Sequence, residues 1–277
     1  MPAVSKIPLT DLRSLYGMFD LFSSMECQRA MAEEALRDNN PGILAEKFQK
    51  SVERFSRYSN IEEPFYPGSS ARKELPDPAQ IDSIDGGLSL TAFLKSAASA
   101  QVIDNPNLDF CFVERELVPA RTTGNAVFEN DEPSIRVRRL DWLLANAQDR
   151  LPIITELKVG NDKNPFYALM QVLMYAAELA TPNQLTRLQR HYPDRFSIPA
   201  SDGTAHGPVL DAYIVLSNYN SRSGIRQEIL ETTNQLCQRL VGEKAISKYI
   251  RRIACLDVTL EEGRKLRFTK LFSYADA

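Results

Sequence analysis

Asp141, Glu156 and Lys158 are the side chains whose types and spacing can do chemistry in this chain. They fall in the stretch 138–179, RRLDWLLANAQDRLPIITELKVGNDKNPFYALMQVLMYAAEL, which reads as strand, turn, strand, loop, helix. Glu156 and Lys158 are two residues apart in ITELKVG, so on a strand they share one face, while Leu157 and Val159 point the other way into a core. In VRRLDWLL, Asp141 shares a face with Arg139 and Val137, and Leu140, Trp142 and Leu144 pack inwards. If these two strands pair, Asp141 lies beside Glu156. Hydrolysis of a phosphodiester needs charge neutralisation and an activated water, and one divalent cation supplies both. Mg²⁺ takes oxygen ligands, so carboxylates from fixed elements suit it. Asp141, Glu156 and the backbone carbonyl of Leu157 are the expected metal ligands. Lys158 then orients or helps deprotonate the water, or neutralises phosphate charge.

The helix that follows carries a polar stripe, Tyr167, Gln171, Tyr175 and Glu178, at i, i+4, i+8 and i+11. Phe166, Leu169, Met170, Leu173 and Ala177 make its buried side. Asn164 is the expected N-cap and Pro165 the first helical residue. Gln171, in mid-helix beside the acidic strand end, is placed to hold a metal-bound water or a phosphate. Arg139 is the expected substrate contact on the face of Asp141.

These elements need a scaffold. Residues 10–38 have helical periodicity through Leu12, Leu15, Phe19, Phe22, Met31 and Leu36, with Thr10 or Asp11 as cap. DNNPG at 38–42 stops that helix, and a second amphipathic helix covers 42–58 through Ile43, Leu44, Phe48, Val52 and Phe55. Together they give a helical hairpin element over 1–60, read as a scaffold packed on the core. The Pro-, Gly- and Ser-containing segment 61–88 reads as a linker or long loop. A short helix is expected at 89–101, then a strand in DFCFVERELVPAR. A polar turn follows, TTGNAVFENDEPS, and then the strands SIRVRRLDWLLAN and RLPIITELKV. After the helix, 181–208 is a polar loop with room for a short helix, and VLDAYIVLSNY is an apolar strand, hence central. Residues 223–241 read as helical, 243–250 as a further turn or two, and the chain closes as two strands around Glu262–Gly263. Three consecutive strands imply a meander, and the crossover helix implies a parallel neighbour. The expected fold class is α/β: a mixed central sheet flanked by helices, with the core domain at 89–277.

The 277 residues are 43% hydrophobic and 25% charged, enough to bury a full core. No apolar run approaches membrane-spanning length, and MPAVSKIPLTDL lacks the apolar stretch of a signal peptide, so a cytoplasmic location is expected. Four dispersed cysteines and two histidines without ligand spacing argue for reduced thiols and against a structural zinc site. Net charge is −3, but residues 221–277 carry 11 basic and 7 acidic side chains, a net of +4, which places any phosphate-contacting surface towards that end.

The stretch resembles the PD-(D/E)XK nuclease superfamily, most closely its RecB-like branch. Asp141 in RRLD, Glu156-Leu157-Lys158 and Gln171 to Tyr175 in QVLMY match, in order, that branch's Asp, (D/E)xK and QxxxY motifs. The motifs span about 40 residues, and the element order extends the likeness over 89–219. The resemblance implies a restriction-endonuclease-like core, α-β-β-β-α-β, in which Asp141 and Glu156 bind metal and Lys158 is catalytic. It implies that Gln171 and Tyr175 support the site and contact DNA. It also points to Glu114 or Glu116, on the first core strand, as a candidate further metal ligand. Two departures stand out: Arg138 occupies the place of a Gly common before the Asp, and no histidine precedes residue 191, which leaves the number of metals open. The expected protein is a Mg²⁺- or Mn²⁺-dependent nuclease acting on DNA, with no membrane association and with a protein partner or homo-oligomer as further options. No GxxxxGK[ST] is present, so unwinding would need a partner. The alternative is a catalytically silent protein of the same fold that binds nucleic acid or a protein.

Overall fold

The computed structural model describes residues 25–56, 64–67, 73–84, 86–97, 99–119, 139–160, 164–198, 207–219, 224–262 and 265–275. The start of the expected N-terminal helix (10–24), the polar turn 122–134, the first residues of the strand that follows it and Gly263 lie outside them. A mixed eight-stranded sheet forms the centre. Its strands are β1 (Tyr66–Pro67), β2 (Ser99–Ala100), β3 (Phe110–Val118), β4 (Leu140–Asn146), β5 (Pro152–Lys158), β6 (Leu210–Ser217), β7 (Ile250–Glu261) and β8 (Lys265–Ala275). The order is β1-β3-β4-β5-β6-β7-β8, with β2 also pairing β3. β3, β4 and β5 form the expected antiparallel meander. β6 runs parallel to β5, β7 parallel to β6, and β8 returns antiparallel along β7.

The helices are α1 (Met25–Leu36), α2 (Asn40–Phe55), α3 (Gly87–Ala97), α4 (Pro165–Leu179), α5 (Pro182–His191), α6 (Ile225–Val241) and the single turn α7 (Lys244–Ser247). α4 is the crossover from β5 to β6. Asn164 caps it as its sequence dictates: its side-chain oxygen accepts from the Tyr167 N–H at 3.0 Å, with Pro165 in the first turn. α5, Thr181-capped, fills the start of 181–208, where the sequence leaves room for a short helix.

Both faces of the sheet are apolar, which is why its central strands are near-continuous hydrophobic runs. β5 and β6 are buried at every position. On one face lie Leu143, Ala145, Ile154, Ile214 and Leu216, packed under α4, α2, α6 and α1. Met31 and Ala35 of α1 and Phe48 of α2 belong to this same core. On the other face Trp142, Leu144, Ile153, Leu157 and Val215 pack with Leu90 and Leu94 of α3. Trp142 is tied to that helix by its Nε1, which donates to Thr91 Oγ1 at 2.8 Å. Leu140, expected to share the core of Trp142 and Leu144, packs in the opposite one, together with its cross-strand partner Leu117.

The expected linker 61–88 is partly built into the fold. Tyr66–Pro67 pairs with Leu117 and Val118 at the sheet edge, and Ile81 and Ile84 are buried. α4 also departs from a two-sided helix. Its polar stripe is as covered as its apolar side, since Gln171, Tyr175 and Glu178 are buried and only Tyr167 is half-open. The helix lies between the sheet and the α1–α2–α6 layer, so neither side meets bulk water. No helix among the described residues is long and apolar enough to cross a membrane.

Candidate active site

The carboxyl end of β5, the start of β4 and the first turns of α4 meet at one place. Trp142 faces Thr155 across the antiparallel pair, so one step further the register sets Asp141 across from Glu156. Directly opposed residues share a face, and this one is the α4 face, occupied by Leu143 and Ile154. Asp141 reaches across to β5, where its Oδ2 accepts from the Leu157 N–H at 2.8 Å. A carboxylate held by a backbone N–H on the next strand has a fixed position, which a metal ligand needs.

Lys158 turns back from the end of β5 onto its own strand and onto α4. Its Nζ donates to Glu156 Oε1 at 3.1 Å and to Gln171 Oε1 at 2.5 Å. The same Nζ stands 4.5 Å from the centroid of the Tyr167 ring. Glu156 and Lys158 are 3% and 4% exposed. Charges so deep are tolerated only when paired and hydrogen-bonded.

The remaining expectations fare differently. Gln171 is in the site, but its amide oxygen holds the lysine. Tyr175, expected to contact substrate, is 1% exposed and lies in the core. It sits one turn past Gln171 on the covered stripe. Arg139, the other expected substrate contact, gives its Nη1 to Glu116 Oε2 at 2.9 Å across β3 and β4. It is partly exposed, and a phosphate would have to compete with that carboxylate.

Neither Glu114 nor Glu116 enters the Asp141–Glu156 pair as a third acid. Among the described residues no group of three or more His, Cys, Asp or Glu comes together for a metal. Glu116 falls in register beside Asp141, between the pairs Arg115–Trp142 and Leu117–Leu140, but Arg139 engages its carboxylate. Its backbone is left-handed, φ +54°, a conformation costing a non-glycine residue about 1–2 kcal/mol. Glu114 accepts from the Arg115 N–H at 2.9 Å. It also lies near Tyr192 at the end of α5, whose phenol is pushed up by burial and then by the Glu114 charge. The donors that could hold a divalent ion are Asp141 and Glu156, with the Leu157 carbonyl in sequence between Glu156 and Lys158. Mg²⁺ is commonly held by one or two carboxylates, the rest being water and substrate oxygens. The residues fit that pattern.

Three residues of this neighbourhood lie beyond the motif reading. Tyr167 shows in the sequence only as the stripe member four before Gln171. Asn164 is legible as a helix cap alone. Its amide nitrogen also donates to Gln28 Oε1 of α1 at 2.7 Å, 136 residues away, for which the sequence holds no signal.

No family model matches the chain, and no curated protein does. Among solved structures there is a match to the central domain of yeast acetyl-CoA carboxylase, at 9% identity and a TM-score of 0.25. It covers 96% of this chain and 41% of that one, and such a score carries no argument about fold or function.

Proposed function

We propose that the protein is a divalent-metal-dependent nuclease of the PD-(D/E)XK type, closest to the RecB-like branch, that hydrolyses phosphodiester bonds in DNA. The observation that carries the reading is the meeting of four motif residues. Asp141 is fixed on the Leu157 N–H, and Lys158 bridges Glu156 and Gln171. The element order α3, β3, β4, β5, α4, β6, with its meander and parallel crossover, supports a restriction-endonuclease-like core. In this reading Asp141 and Glu156 hold Mg²⁺ or Mn²⁺, which supplies an acidified water and charge stabilisation. Lys158 places its ammonium beside the attacked phosphate, and Gln171 keeps it there. DNA repair, recombination or defence against foreign DNA in the cytoplasm is the setting proposed.

The depth of Lys158 favours a second reading, a catalytically silent copy of the fold that binds nucleic acid or a protein. An ammonium 4% exposed and already shared between Glu156 and Gln171 has to be uncovered before it can meet phosphate.

One experiment separates the two. Labelled linear double-stranded, circular and single-stranded DNA is incubated with Mg²⁺, Mn²⁺ or EDTA, comparing wild type with Lys158→Ala and Asp141→Ala. Metal-dependent cleavage lost in both variants is the expected result. Cleavage surviving both overturns the site, and binding without cleavage in all three proteins selects the silent reading.

A further inference from the structure

We propose that Gln28 of α1 is a positioning residue for Lys158: through the Asn164 cap of α4 it holds the Tyr167 ring over the lysine ammonium. This rests on the nuclease reading only for its catalytic consequence; the geometry stands by itself.

The contacts run in one line. Gln28 Oε1 accepts from Asn164 Nδ2 at 2.7 Å, and Asn164 Oδ1 accepts from the Tyr167 N–H at 3.0 Å. Asn164 is buried, and both ends of its amide are committed, so its orientation is set. The capped residue is the one whose ring lies 4.5 Å from Lys158 Nζ, and one turn later Gln171 accepts from the same Nζ at 2.5 Å. An N-cap fixes the phase at which a helix starts, and with it the direction of every side chain in the first turns. A cap left to rotate would swing Tyr167 and Gln171 together, and their shared target is Lys158.

α1 is held to deliver Gln28 there. Arg29 Nη1 pairs with Glu228 Oε2 of α6 at 2.8 Å, and Arg239 of α6 donates to the Leu36 carbonyl at 2.6 Å. Met31, Ala32 and Ala35 anchor the other face of the helix in the core. Gln28 itself is only half-buried, so its substitution leaves that core intact. An N-terminal helix, remote in sequence from every motif, thereby becomes part of the site.

The test pairs Gln28→Met, which keeps the size and removes the acceptor, with Gln28→Glu, which keeps an acceptor for Asn164 Nδ2. Thermal melting checks the fold of each. The first readout is the side-chain NMR resonance of Lys158, assigned by its loss in Lys158→Arg. A ring at 4.5 Å shifts that resonance upfield, and Tyr167→Leu gives the value without the ring. The second readout is kcat and KM for DNA cleavage with Mg²⁺. Gln28→Met should lose most of the upfield shift and lower kcat about tenfold, in the range of supporting residues one layer behind a site, with KM within about twofold. Gln28→Glu should restore both. An unchanged Lys158 resonance in Gln28→Met, or a Gln28→Glu that behaves like Gln28→Met, overturns the proposal. A wild type that does not cleave overturns the nuclease reading alone, since the resonance still decides the positioning.

Discussion

Gln171 Oε1 accepts from Lys158 Nζ at 2.5 Å, joining α4 to the carboxyl end of β5 where both are buried. A charged donor in that position is held by its partners or is costly. Gln171→Ala should therefore act on stability as well as on chemistry. It removes an acceptor from the ammonium, and leaving a buried polar group short of a partner costs about 1–3 kcal/mol. Urea unfolding should show that loss, with cleavage falling at the same time. A stable but inactive Gln171→Ala would mean that the amide serves substrate and not the lysine.

Asp141 has two tasks that a pair of substitutions separates. It accepts from the Leu157 N–H, and it is one of the two acids proposed for the metal. Asp141→Asn keeps an acceptor oxygen and removes the charge; Asp141→Ala removes both. Wild type should melt higher with added Mg²⁺, by about 2.7 kcal/mol of stabilisation at a hundredfold excess over Kd. Asp141→Asn should fold as well as wild type and lose that gain, and Asp141→Ala should also be less stable without metal. Equal Mg²⁺ responses in wild type and Asp141→Asn would remove Asp141 from the ligand set.

Tyr175 tests a place where motif and structure part. It is 1% exposed, so Tyr175→Phe should leave KM for DNA unchanged, and any effect should appear in thermal melting. A KM raised severalfold without loss of stability would return Tyr175 to the substrate surface.

The sequence could carry Asp141, Glu156, Lys158 and Gln171 because each depends on local periodicity. Strand alternation sets Glu156 and Lys158 on one face, and the capped helix sets Gln171 beside them. The meander and crossover are legible for the same reason. The expected substrate role of Tyr175 comes from the motif alone, and the polar stripe gives no sign that Tyr175 is buried. Nothing local to α4 reveals that α1, α2 and α6 cover its outer side. The Arg139–Glu116 pair and the Gln28–Asn164 contact are out of reach because each is set by long-range packing. The first depends on the register of β3 on β4, the second on where α1 docks.

The far end of the sheet predicts a pH dependence independent of the site. Arg251, at the start of β7, donates from Nε and Nη2 to Asp211 Oδ1 and Oδ2 at 2.9 and 2.7 Å, and its Nη1 pairs with Asp149. Asp211 is fully buried, and burial holds its carboxyl above the ordinary range although Arg251 pulls the other way. Asp149 is exposed. Partial burial alone would raise it, but the hydrogen bonds from Arg251 and the Leu151 N–H, with the guanidinium charge, together outweigh that and leave it lowered. The sign follows for each. A lowered Asp149 contributes stability that is fully present above its unfolded value, about 3.9, and is lost as pH falls through the lower folded value. The melting temperatures of wild type and Asp149→Asn should therefore converge below about pH 4. Arg251→Met strands Asp211 inside the protein, and breaking such a pair costs about 3–5 kcal/mol. Without its partner Asp211 takes up a proton in the folded state before it does in the unfolded one, so the variant gains stability as pH falls from about 7 towards about 5. Asp211→Asn in the Arg251→Met background removes that charge and should recover part of the loss at neutral pH. Urea unfolding of the single and double variants at about pH 7 and about pH 5 measures both effects. A deficit of Arg251→Met that is the same at the two pH values would mean that Asp211 is solvated through some other route.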